Sequence, residues 1–230
     1  MKFKSSVIFV SLCAALALFQ ACKKDVATVN FHYAYYDLTP GRFVVYDVVE
    51  IRHDQGATIK HDTLVYQLKS VIGDTVIDNA GRIARKFFRY KRANNTQNWV
   101  FSDVWTTIIA DNRAELVEEN QRIVKLVFAP TLSKSWDINA FNSFAKLEAY
   151  YRDLHKPTLV NGLTFDSSLV VEQEDFLSLV DYRRKFEVYA KGVGLVRKYS
   201  KDLNIQNFDT INGVLNGKEL FYQIRSFGIE

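Results

Sequence analysis

The feature that most limits how this chain can fold is a nearly unbroken succession of β-branched and aromatic runs, each closed by turn-forming residues. Residues 43–51 (Phe-Val-Val-Tyr-Asp-Val-Val-Glu-Ile) have the composition of a pleated, half-buried strand. Residues 63–72 follow the polar turn around Gln55-Gly56, and Asp78-Asn79-Ala80-Gly81 is turn chemistry that introduces residues 82–92. Asn94-Asn95 makes the next turn before residues 99–109. Residues 114–118 and 122–128 pair across Glu119-Asn120. Further on, residues 159–172 read as a hairpin turning at Asn161-Gly162 or near Asp166. Residues 185–190 and 195–203 flank Gly192-Val193-Gly194, and residues 219–227 make a last strand. Strands at near-regular spacing with turns between them indicate antiparallel pairing, not βαβ units. The expected fold is mainly β: a single antiparallel, curved sheet or partial barrel with one or two short helices.

Two segments read both ways. Phe141, Phe144, Leu147, Tyr151 and Leu154 recur at helical spacing, yet Tyr150-Tyr151 and His155-Lys156-Pro157 also suit an edge strand. Residues 176–186 carry the same ambiguity, so the short helices are expected within 141–155 and 176–186. With only three prolines and no repeat of solenoid length, nothing marks a second domain.

The N-terminus carries a different signal. Lys2 and Lys4 precede an uncharged apolar stretch over residues 7–19, and the chain turns polar at Lys23-Lys24-Asp25. A basic start, a short apolar stretch and a small residue at the cut make a secretory signal peptide. The apolar stretch falls short of the roughly 20 residues that span a bilayer. Phe19-Gln20-Ala21-Cys22 resembles a bacterial lipobox, with the small residue required before the cysteine; it departs at Phe19 and Gln20, where leucine and a small residue are usual. Cleavage before Cys22 leaves 209 residues with 28 basic and 26 acidic side chains, a balance that gives no electrostatic case for nucleic acid. Cys13 lies in the signal, so the mature chain has Cys22 alone and cannot form an internal disulfide. Its stability must come from buried apolar surface, for which this length suffices.

The run Cys22-Lys23-Lys24-Asp25 resembles the start of mature Bacteroidetes lipoproteins. The strings Val71-Ile72-Gly73-Asp74, Trp105-Thr106, Lys125-Leu126-Val127-Phe128 and Val188 to Val196 are similar to a group of Bacteroidetes outer-membrane lipoproteins of unassigned activity. That resemblance implies residues 1–21 as signal, 22–36 as lipidated tether and 37–230 as the domain. It also implies a diacylglycerol on the Cys22 thiol and an acyl chain such as palmitate on its amine. Three chains at about 0.8 kcal/mol per buried methylene hold a protein to a membrane permanently. In architecture alone the chain is similar to periplasmic lipid and lipoprotein carriers, which transfers no function. Asp62-Thr63-Leu64, Asp74-Thr75-Val76 and Asp209-Thr210-Ile211 resemble the acceptor of Bacteroidetes O-glycosylation.

Chemistry-bearing residues are sparse. His53-Asp54 and His61-Asp62 flank one hairpin turn, which would make the two histidines cross-strand neighbours. With Asp54 or Asp62 they are the weak candidates for a metal such as zinc. Polar residues beside a turn more often serve the turn, so no metal site and no cofactor is expected. No Gly-x-Ser-x-Gly elbow is present, and Gly192-Val193-Gly194 lacks the third glycine and the helix of a dinucleotide site. Glu118 and Glu119 point to opposite faces of a strand, whereas Glu172 and Glu174 share one, as a solvated edge. Arg85, Phe87, Arg89 and Lys91 line one strand face, read as a solvated basic face near anionic headgroups that guards against aggregation.

These readings lead to a membrane-anchored envelope lipoprotein, in the outer membrane, without catalytic residues. Its expected partners are the membrane, through the lipid on Cys22, and an apolar ligand or an envelope protein. The 17 Phe and 12 Tyr residues motivate the apolar ligand. The alternatives are a metal-dependent hydrolase using His53 and His61, and a structural surface protein.

Overall fold

Strands make up 69% of the structure of residues 28–230, the part of the chain that the computed structural model describes. The export signal, Cys22 and the first residues of the tether lie outside the described residues. Twelve strands follow one another: β1 (Arg42–Asp54), β2 (His61–Ile77), β3 (Ile83–Arg92), β4 (Val100–Ala110), β5 (Arg113–Glu118), β6 (Gln121–Val127), β7 (Ser135–Asp137), β8 (Glu148–Val160), β9 (Leu163–Leu177), β10 (Asp181–Ala190), β11 (Gly194–Gln206) and β12 (Asp209–Ile229). They form one antiparallel sheet in the order β6-β5-β4-β3-β2-β1-β12-β11-β10-β9-β8-β7. Each strand pairs with its sequence neighbour, except that β12 joins β1 and so brings the two halves of the chain into one sheet.

The sheet curls until its edges meet. Val124 on β6 donates its N–H to the carbonyl of Ile138 just beyond β7 (3.0 Å), and the Trp136 indole N–H donates to the Val124 carbonyl (3.1 Å). A bridge between Arg122 and Phe141 adds to the seam, and the result is a nearly closed barrel. Bulges produce the bending: a register shift occurs in eight of the eleven strand pairs, and each bends and further twists its strand. Gly217 serves the same end, since at φ +129 any Cβ would stand 2.2 Å from the Asp202 carbonyl oxygen.

Four hairpins close with two residues in the left-handed region: Asp111-Asn112, Glu119-Asn120, Asn161-Gly162 and Asn207-Phe208. This turn matches the right-handed twist of the strands and favours Asn, Asp and Gly. Phe208 breaks that preference at φ 59 and is exposed. A left-handed residue with a side chain costs about 1–2 kcal/mol. Phe208→Gly is therefore expected to raise stability by about 1 kcal/mol, seen as a higher denaturant midpoint; a lower midpoint would show that the ring makes a stabilising contact.

Neither ambiguous segment is α-helical: residues 141–147 are irregular and 148–155 belong to β8, while residues 176–186 run from the end of β9 through a turn into β10. Among the described residues the helix content is a single 3-10 turn, Tyr33–Tyr35, in neither of those segments. Tyr151, one of the helix-spaced residues, is buried from a strand, and its hydroxyl bonds both the N–H and the carbonyl of Val127 on β6. Apolar spacing cannot distinguish that seam contact from a helix face.

Of the residues read as tether, Phe31 to Tyr36 pack with the barrel. Phe31 accepts a hydrogen bond from Ala129 N–H, Ala34 accepts one from Gly192 N–H, and Gly41 donates to the Ile72 carbonyl. The segment thus runs from the end of β6, past the β10–β11 turn, to β2, as a strap across one end of the barrel. Tyr35 anchors it, 1% exposed among Ala114, Leu126, Phe128, Tyr151 and Tyr189. The other large core cluster gathers Val44, Tyr46, Val48, Leu68, Val196 and Ile224.

Candidate ligand cavity

Under the strap the interior is not filled. A cavity of about 110 Å³ lies among Tyr46, Leu68, Trp105, Leu116, Leu195 and Tyr222, with Tyr36, Asp37 and Leu38 of the strap on its rim. It is smaller than the roughly 150 Å³ engineered cavity that takes up benzene, and so too small for a whole lipid.

Charged side chains enter this apolar space. Glu187 on β10, 1% exposed, accepts hydrogen bonds from Lys125 Nζ (2.6 Å) and the Tyr189 hydroxyl (2.5 Å). Burial pushes the Glu187 carboxyl up, but Lys125 and Lys198 outweigh it and hold it below its ordinary range. The same burial, together with Glu187, keeps the Tyr189 phenol well above its usual value and protonated. Lys198 on β11 stands 3.9 Å from Glu187 and 5.8 Å from the Tyr222 ring centroid. Desolvation pushes its ammonium down, but Glu187, Tyr222 and Glu118 more than offset this, so it stays charged. Arg89 on β3 lies 3.9 Å over the Trp105 ring, makes a long bond to the Tyr222 hydroxyl (3.4 Å) and sits 3.7 Å from Asp103.

Arg89 corrects a sequence expectation. The face of Arg85, Phe87, Arg89 and Lys91 was expected to be solvated, but Phe87 and Arg89 line the cavity and Arg89 is 8% exposed. Arg85, on the same strand parity, is half-buried and Lys91 is exposed, so the expectation of a solvated face fails at Phe87 and Arg89 and not at Lys91. Lys125, Glu187 and Lys198 were not singled out at all. Lys198 shares the cavity with Leu195 across a bulge at Val196, which breaks the alternation that a sequence would show. Glu187 stands at strand spacing from fully buried Tyr189, which lines the same cavity, so it carried a signal of an inward charge.

The histidine pair forms as expected: the strand register places His53 opposite His61, with their Nδ1 atoms 2.7 Å apart. The third partner is Glu219 on β12, 2.9 Å from His53 Nε2, itself bound by Lys201 at 2.8 Å. If His53 donates through Nε2 to this carboxylate, its Nδ1 accepts the His61 proton, and all three groups are satisfied. The two His53 nitrogens point to different partners, so the donors do not converge on one point. Among the described residues no group of three His, Cys, Asp or Glu is placed to hold a metal ion. Asp54 caps its own turn by accepting the Gly56 N–H at 2.8 Å, and Asp62 lies opposite Arg52 in the register. The carboxylates Glu172 and Glu174 are separated by a bulge. Glu172 is buried against Arg152 and Arg184, and Glu174 is held by Lys185. Glu119 is in a turn, while Glu118 lines the cavity. Thr63 and Thr75 are exposed and Thr210 is half-buried.

No family model and no curated protein matches the chain. Among solved structures, the chain is similar to a putative lipoprotein from Parabacteroides distasonis, at 10% identity over 84% of this chain and 98% of that one. With a TM-score of 0.37, the likeness is too loose to carry a role across.

Proposed function

We propose that this chain is a lipid-anchored envelope protein whose barrel binds a small apolar ligand and performs no chemistry on it. The cavity beneath the strap carries the binding half of this reading. An apolar pocket with a few convergent polar groups and shifted pKa values is the usual form of a ligand site. The signal and the lipobox at Cys22 support the anchor, and the resemblance to Bacteroidetes outer-membrane lipoproteins supports an outer-membrane location. Both halves can be tested on protein purified from native envelopes. Ser70 lines the cavity and is buried, so Ser70→Leu should fill it. Denatured wild-type protein should release a stoichiometric small molecule, and the Ser70→Leu protein none. Cys22→Ser should move the protein out of the membrane fraction. No release from wild type would remove the binding role, and continued membrane partition of Cys22→Ser would remove the anchor.

A partner-binding role draws on a different observation. The β9–β10 and β11–β12 turns, joined by a hydrogen bond from Ile205 N–H to the Val180 carbonyl, expose Phe176, Leu177, Leu179, Val180 and Phe208. Such a cluster on a soluble domain marks a contact surface.

A further inference from the structure

We infer that the cavity selects ligands carrying one negative charge on a small apolar body, a short acyl or aromatic carboxylate, seated between Lys198 and Arg89. This rests on the reading of the cavity as a ligand site and names the class of ligand. Charge balance is the first argument. Four cations, Arg42, Arg89, Lys125 and Lys198, line the cavity against three carboxylates, Asp37, Glu118 and Glu187. Arg42 pairs with Asp37 at 2.6 Å and Lys125 with Glu187 at 2.6 Å, so two of the cations are already neutralised at short range. Asp103, 3.7 Å from Arg89, completes the balance, so what remains is positive charge compensated only at long range, Arg89 by Asp103 and Lys198 by Glu187 at 3.9 Å.

Hydrogen bonding places it. The Lys198 ammonium has three donors and no hydrogen bond among the described residues, only the 3.9 Å approach to a carboxylate already held by Lys125. Its side chain lines the cavity and keeps 26% of its surface accessible. The Arg89 guanidinium, with five donors, makes one long hydrogen bond and one long ion pair. Both cations lie against Tyr222, Arg89 at its hydroxyl and Lys198 over its ring. Two cations with open donor positions beside one phenol make a seat for an anion, where charge-assisted hydrogen bonds are the strong ones. A carboxylate offers about four lone-pair sites, enough for the Lys198 and Arg89 donors together. Trp105, Leu68 and Leu116 then enclose the apolar body. The cavity volume limits that body to about one ring or a short chain.

Titration calorimetry on the delipidated mature protein compares benzoate and hexanoate with benzyl alcohol and hexan-1-ol, which match them in shape without the charge. The acids are expected to bind at least about tenfold more tightly, as befits a charge-assisted hydrogen bond of roughly 1.5–3 kcal/mol. Lys198→Met should remove that preference, while Lys198→Arg should keep it. Equal binding of acids and alcohols by wild type would overturn the charge inference and leave the cavity a ligand site. No binding of any of the four would overturn both. The wild-type comparison decides even if Lys198→Met does not fold.

Discussion

Replacing Glu115 with alanine is expected to destabilise the barrel by about 3–5 kcal/mol, the typical cost of removing one partner from a buried ion pair. Glu115 is 1% exposed on β5 and accepts hydrogen bonds from three guanidinium groups: Arg113 (2.6 Å), Arg82 (2.7 Å) and Arg122 (2.6 Å). Arg82 and Arg122 also hold Asp78, whose other oxygen caps the turn between β2 and β3. One carboxylate therefore fastens that turn to β5 and β6, on the far side of β4, and maintains the curl of this half of the sheet. The arginines keep 19–27% of their side-chain surface exposed, so they can partly rehydrate, and the lower end of the range is expected. For a domain of this size about 3 kcal/mol corresponds to a fall in Tm of roughly 6–12 °C. A change under about 1 kcal/mol in reversible denaturation would show that the cluster is ornamental to the fold.

The same cluster fixes how stability depends on pH. Burial pushes the Glu115 and Asp78 carboxyls up, but the arginine and backbone hydrogen bonds outweigh it and hold both below their ordinary values. A carboxyl whose folded pKa is depressed contributes stability above its unfolded pKa and loses it as pH falls. Glu187 behaves likewise. Glu172 has the opposite sign, since burial raises its pKa despite Arg152 and Arg184, and its contribution is lost as pH rises. Glu50, Glu148, Asp153 and Asp209 are depressed as well, and seven depressed carboxyls against one raised predict net acid lability below about pH 4.5. The Glu115→Ala protein should show a shallower acid transition.

Turn residues made the fold legible. Asn161-Gly162 and Glu119-Asn120 mark their hairpins in the sequence and lie in the left-handed turns they imply. Barrel closure was not legible, because it depends on bulges and on side chains such as Trp136 and Tyr151 that reach backbone groups across the seam. Periodicity failed at Tyr151 for that reason. The site was legible only in part. The proximity of His53 and His61 follows from hairpin register alone, but their third partner, Glu219, is 158 residues further on, on β12. Arg89 could be assigned to a face, but whether that face met water depended on the closure. Charges at inward positions such as Lys198 look like surface charges until the sheet is known to curl.

Tyr35→Ala tests whether the strap governs access to the cavity, and its expected cost is about 3–5 kcal/mol, that of truncating a fully buried aromatic side chain. The Tyr35 hydroxyl lies 2.7 Å from both His155 Nδ1 and Ser167 Oγ, which fixes the strap to β8 and β9. Tyr35→Phe removes only these bonds. Ser167 and His155 are near enough to water to be resolvated, so about 1 kcal/mol is expected for that variant. The difference between the two substitutions separates the packing of the ring from the bonding of the hydroxyl. Tyr36, Asp37 and Leu38 follow directly and line the cavity, so releasing Tyr35 should loosen the rim before the sheet unfolds. The Gly192 N–H, bonded to Ala34 at 2.7 Å, reports on this. Its hydrogen exchange should accelerate in Tyr35→Ala by more than that of the amides paired between β1 and β12. Equal acceleration at both places would mean that the strap and the sheet unfold as one unit, and the cavity would then open only with the whole barrel. Selective acceleration would make the strap a gate, and the nine residues from Cys22 to Asn30 would join that gate to the lipid proposed at Cys22.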